Sequence, residues 1–256
     1  MGALEAKLIQ SFSFIAILTN ILLAYLIISR SRKEMGNYRY LILAFTLVGL
    51  HFTLLNLILV PFVDIYKHAF VFYPVGELRE WPNLMQYAFS YWHANYGSVA
   101  FILVLQFAYR YGSLVNQKLL RYFCLPKIGY VLGLGLLNAS IWFMVFFLSR
   151  YHLEDQKEYL RDRVMEVSGF PVDGLLMVGN LYVVINDRGE EVYYLPAVIL
   201  GFLPVALLIS ALILMVYFTY KIQRALNASA MSVRTKKNAA RTFCRACYTS
   251  LLPSRP

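Results

Sequence analysis

The chain has 256 residues, 59% of them hydrophobic and 15% charged, against about half and about a quarter in ordinary soluble domains. That balance excludes a soluble domain, and 20 Tyr with 18 Phe exclude a disordered one. The formal charge of +10 is expected to gather on one face of a membrane, so the expected partner surface is a lipid bilayer and not nucleic acid.

A hydrocarbon core about 30 Å thick takes roughly 20 apolar residues as a helix. In chain order, five stretches meet that requirement, at about 8–28, 40–63, 84–109, 128–148 and 195–220. The third is the least apolar, with His93, Asn95, Gly97 and Gln106, yet it holds no Asp, Glu, Lys or Arg before Arg110. Hydrocarbon supplies no hydrogen-bond partners, so each stretch is predicted as a helix and the fold as an all-α integral membrane bundle. Runs that are apolar all round lack the two-residue alternation of barrel strands. The first span reads as a retained helix rather than a cleaved leader: Glu5 and Lys7 offset each other before it, and Arg30, Arg32 and Lys33 follow it.

Charge sets the orientation. With the amino end outside, the inner segments hold 16 of the 24 basic residues, and Glu34 is their sole acid. The amino end is thus expected outside the cell and the carboxyl end in the cytoplasm, with a basic inner face towards anionic headgroups.

The outer segment 149–194 is too long for a simple connector and is expected to be structured. Leu153, Tyr159, Leu160, Val164 and Val167 recur at helical spacing among charges, which predicts an amphipathic helix over 152–167. Residues 181–185 and 191–194 are rich in Val, Ile and Tyr and flank Asn186-Asp187-Arg188-Gly189, so they predict a hairpin, either covering the bundle mouth or replaced by a solvated loop. Cys124, Cys244 and Cys247 all fall inside, which leaves no outer disulfide within this chain. Cys244-Arg245-Ala246-Cys247 has no second ligand pair nearby, so no metal and no cofactor are expected.

Within the spans, Asn20, His51, Asn56, His93, Gln106 and Asn138 are the strongest polar groups, expected to hydrogen-bond between helices. No span carries a carboxylate for proton coupling, and neither a His-x-x-x-His pair nor a nucleophile or phosphate-loop motif occurs, so enzyme activity is not expected. Aromatics crowd the outer part of the third span, at Tyr87, Phe89, Tyr91, Trp92, His93 and Tyr96. They form either an interfacial belt or the wall of an aromatic ligand pocket. On the second reading Tyr91, Trp92, His93 and Tyr96, with His51 of the second span, are the candidate ligand-binding residues.

Several phrases, in order, carry a resemblance: Ile17-Leu18-Thr19-Asn20-Ile21-Leu22-Leu23, then Met35-Gly36-Asn37-Tyr38-Arg39-Tyr40-Leu41, then Pro61-Phe62. Tyr109-Arg110-Tyr111, Glu158-Tyr159-Leu160-Arg161 and Arg234-Thr235-Lys236-Lys237 follow. Together, over roughly 1–238, they resemble nematode serpentine chemoreceptors of the Str superfamily, nearest its class r and class j members. The resemblance implies a seven-helix G-protein-coupled receptor in chemosensory neurons, at the plasma membrane or sensory cilium. It implies as partners an odorant-like small molecule, a heterotrimeric G protein and further receptor copies. It also singles out Arg110, with Tyr111, for G-protein coupling; the plainer alternative for Arg110 is a boundary residue whose charge reaches back to the interface.

Residues 1–238 are therefore expected to form the receptor's transmembrane region and 239–256 a divergent basic cytoplasmic tail. That tail has no run long enough for a sixth helix, so the chain reads as a truncated receptor or the product of a mispredicted exon. The alternatives are a non-signalling membrane partner of intact receptors and a small membrane transporter.

Overall fold

The computed structural model describes residues 2–30, 38–75, 81–124, 127–149, 153–169, 171–185 and 188–250. The basic residues Arg32 and Lys33, the Met35–Asn37 part of the resembling phrase and the turn residues Asn186 and Asp187 lie outside them.

The chain is mainly helical. Helix α1 (Gly2–Arg30) packs on α2 (Tyr38–Leu59), and α3 (Pro82–Leu114) packs on α2 and on the later helices α5 (Ile128–Leu148) and α7 (Leu195–Ser250). A short α4 (Gln117–Leu120) and one 3-10 turn link α3 to α5. Among the described residues, four helices are long and apolar enough to cross a membrane: 4–30, 38–59, 128–148 and 195–228. Their apolar side chains point outward, with Leu22, Leu136 and Ile213 all more than half exposed. An outward apolar surface on every such helix suits a hydrocarbon solvent and no aqueous one.

The third predicted span is a helix but not one of these four. The reason lies in its place at the centre: ringed by α2, α5 and α7, it buries Gln86, Ser90, His93 and Asn95 against protein rather than lipid. Pro82 opens this helix, where a missing N–H costs nothing.

One end of the bundle is capped. The span predicted over 40–63 stops at Leu59, because Val60 takes a left-handed conformation (φ 45°) and Pro61 cannot continue the helix ladder. Pro61–Tyr66 instead forms β1, which pairs antiparallel with β2 (Ala69–Pro74). β2 in turn pairs with the distant β3 (Val178–Leu181), Val71 facing Gly179 and Phe72 facing Val178. The predicted hairpin is present as β4 (Val183–Ile185) and β5 (Glu191–Tyr193), and the predicted amphipathic helix as α6 (Leu153–Ser168).

Strand alternation divides β2 between two cores. Ala69, Val71 and Tyr73 join Leu160 and Val164 of α6 in one cluster, whereas Phe72 packs on the other, with Phe89, Trp142 and Phe146 of the bundle. The sheet is thus a layer between α6 and the helices. Gln156 fastens it: its Nε2 donates to the carbonyls of Gly179 (3.0 Å) and Ser149 (3.3 Å), tying α6 to β3 and to the end of α5. On the outer face of β1, Asp64, itself buried, meets the Arg163 guanidinium at 3.3 Å. The carboxylate holds the arginine's proton more firmly than usual, and partial burial works against it.

Candidate functional site

Beneath the sheet lies a cavity of about 340 Å³. α3 contributes Trp92, His93 and Tyr96, one helical face at positions i, i+1 and i+4. α5 adds Trp142 and Phe146, the sheet adds Phe72 and Asn180, and α7 closes it with Leu200 and Pro204. Among the described residues, no charged side chain lines it.

The aromatic wall is held by two bonds between helices. Trp92 Nε1 donates to Asn56 Oδ1 of α2 at 2.6 Å, and Asn138 Nδ2 of α5 donates to the Gly97 carbonyl of α3 at 3.2 Å. Both fulfil the expectation of polar links between spans. Asn20 and His93 do not: each bonds a backbone carbonyl one turn back in its own helix, Ala16 and Phe89 respectively, since that acceptor is always within reach of a helical side chain.

His93 is one of the residues that bring a polar group to the cavity wall. Its ring is stacked on Phe146, with centroids 3.4 Å apart, and meets Phe72 and Trp92 edge-on. Nδ1 lies 2.8 Å from the Phe89 carbonyl and so carries the proton. That leaves Nε2 as an acceptor, buried and with no hydrogen-bond partner among the described residues. Asn180 also lines the cavity, and its side chain bonds the Tyr182 phenol. Burial raises that phenol's pKa, and the Asn180 bond partly offsets the rise. Pro204 has no N–H for the Leu200 carbonyl, so a further acceptor of the α7 backbone is released among the lining residues. A lining of this kind suits a small molecule held by apolar burial, with a few acceptors to orient it.

The remaining candidates lie elsewhere. Tyr91 and His51 are paired edge-on at 5.4 Å between α3 and α2, exposed and outside this cavity. Arg110 and Tyr111 are at the far end of α3: Arg110 is exposed with its guanidinium 5.1 Å from the Tyr38 ring centre, and Tyr111 leans on Phe218 of α7 at 5.4 Å. Sequence reasoning missed Phe72, Trp142, Phe146, Asn180 and Pro204, which come from elements brought together only by the fold. An available signal was the aromatic run in 69–73, where alternate residues suit a strand with two buried faces.

Comparison with known proteins gives the same direction. The family described as serpentine type 7TM GPCR chemoreceptor Str matches residues 6–246. The chain is similar to "G-protein coupled receptor str-33" of Caenorhabditis elegans, 33% identical over 55% of this chain and 43% of that one. It is also similar to "Serpentine receptor class J-38" of the same organism, 24% identical over 84% of this chain and 66% of that one. It therefore spans less than two thirds of the length of either relative.

Proposed function

We propose, from the premise that this chain belongs to the Str family of serpentine seven-transmembrane G-protein-coupled chemoreceptors, that it is a receptor for small neutral molecules and that the aromatic cavity receives them. The family is one of membrane receptors and not of enzymes. The observation that carries the reading is the cavity lining: aromatic on α3 and α5, with no charged side chain among the described residues, and including His93, whose Nε2 has no hydrogen-bond partner among them. Burying an ammonium or carboxylate there without a counter-ion would be costly, whereas a ketone, ester or alcohol of suitable size would lose little. Of these, a hydroxyl donor also satisfies Nε2.

In this reading the amino end and the capping sheet face the outside, and Arg110 and Tyr111 the cytoplasm. Lys118, Arg121 and Lys127 follow Arg110 in the same inner segment, which supports that orientation. Arg110 keeps a fixed charge and a planar donor fork at the bundle end, suited to carbonyl or carboxyl groups of a heterotrimeric G protein. The plasma membrane of a sensory ending is the matching location.

The test is a G-protein reporter assay in cells expressing the chain, with neutral alcohols and ketones set against carboxylates and amines. Responses to neutral compounds, lost in Trp142→Ala at equal surface delivery, are expected. Responses confined to charged compounds, or unchanged by that substitution, would overturn the assignment of the cavity.

A further inference from the structure

A second, smaller chamber of about 180 Å³ adjoins the aromatic cavity. The two share Asn180 and Leu200 in their walls. The smaller one lies towards the capped end, between the close of α5 at Leu148 and Ser149, the start of α7 at Pro196 and Ala197, and Gln156 of α6.

Gln156 is the informative residue. It is 1% exposed, and both hydrogens of its amide are engaged by backbone carbonyls, those of Ser149 and Gly179. Those two acceptors fix which way the amide faces, because turning it over would set Oε1 against two carbonyl oxygens. Oε1 is then an acceptor of fixed direction, and it has no hydrogen-bond partner among the described residues. A buried acceptor left open costs stability, and Gln156 lines the chamber, so a ligand donor entering there meets an acceptor to satisfy. The rest of that wall is mainly apolar, with Leu148, Pro196, Ala197 and Leu200.

We infer that the smaller chamber is a subsite of the same ligand site, and that Gln156 is its specificity-determining residue. A ligand with its apolar body in the aromatic cavity extends a hydroxyl or amide N–H past Asn180 and Leu200 to Gln156 Oε1. The inference rests on the reading of the aromatic cavity given above.

Matched neutral probes separate the two claims. The chain, reconstituted in lipid nanodiscs, is titrated with phenylalkan-1-ols of increasing length and with their methyl ethers. Binding is followed by tryptophan fluorescence, since Trp92 and Trp142 line the aromatic cavity. The alcohol of best-fitting length is expected to bind about tenfold more tightly than its ether, the weight of one hydrogen bond. Gln156→Met removes the acceptor, and Ala197→Phe fills the chamber while leaving Gln156 and its two carbonyl bonds in place. Both should bring the ratio of alcohol to ether affinity close to one, with ether binding retained. A ratio near one in the unaltered chain, or a tenfold ratio that survives both substitutions, overturns the subsite. Failure of every alcohol and ether to alter the fluorescence overturns the aromatic cavity itself, and the subsite with it.

Discussion

Trp142 of α5 lies against the bare Cα of Gly97 on α3, so closely that a Cβ at Gly97 would overlap the indole ring. The contact borders the cavity, since Trp142 also forms part of its wall, and Asn138, one turn before it, bonds the Gly97 carbonyl. The contact joins backbone approach to site shape. Small residues at helix crossings serve the first role in membranes generally.

Gly97→Ala must therefore displace a buried ring. It is expected to lower stability by ~1–3 kcal/mol, the usual range for overpacking, and to shift tryptophan emission as Trp142 moves. Thermal unfolding in detergent with a fluorescence readout checks both; an unchanged spectrum would show that the ring had not been held there.

The bond from Trp92 to Asn56 is expected to show coupling in a double-mutant cycle. Asn56→Leu alone strands the indole N–H and should cost ~1–2 kcal/mol. Asn56→Leu combined with Trp92→Phe removes both partners and should cost less than the sum of the two single changes. Simple additivity would mean that the bond carries no weight.

Tyr73 predicts an alkaline effect. Its hydroxyl is buried with no hydrogen-bond partner among the described residues, and burial, with the nearby Asp64 carboxylate, raises its pKa well above the usual phenol value of 10.0. The folded chain keeps this proton while the unfolded chain loses it above pH 10, so stability from this group is full below pH 10 and declines above it. Tyr73→Phe is expected to leave stability at pH 7 within about 0.5 kcal/mol or slightly improved. It should also flatten the decline above pH 10, as measured by unfolding at several pH values.

Lys67 turns the β1–β2 hairpin with φ 47°, a conformation that asparagine adopts more readily than lysine. Lys67→Asn is expected to raise stability by ~0.5–1 kcal/mol. A loss of that size would show that the lysine's contact with the Tyr66 ring outweighs the backbone preference.

What the sequence disclosed follows from the range of the forces involved. α1, α2, α5 and α7 were legible because lipid imposes a long apolar run on each, and α6 because its one buried face repeats at helical spacing. The β4–β5 hairpin was legible from its turn residues and β-branched flanks. β1 was not, since Phe62 and Val63 extend the apolar run of α2 without a charge before Asp64, and only the proline at 61 marks the change. β3 pairs with a strand more than a hundred residues earlier, a relation that local pattern does not encode. In the site, Trp92, His93 and Tyr96 stood out as an aromatic cluster, and helical spacing explains why Tyr91 faces His51 instead. Gln156 gave no signal at all: in sequence it is one more polar residue among the charges of an amphipathic helix, and only the fold turns it inward.

Photolabelling tests the ligand site most directly. A neutral phenyl ketone carrying a diazirine is irradiated with the chain in nanodiscs, and the labelled residues are mapped by peptide mass spectrometry. Labelling is expected at Trp92, Tyr96, Trp142 and Phe146, and should be competed away by unlabelled ketone. Labelling spread over the lipid-facing surfaces of α1 and α2, with no competition, would contradict a ligand site inside the bundle.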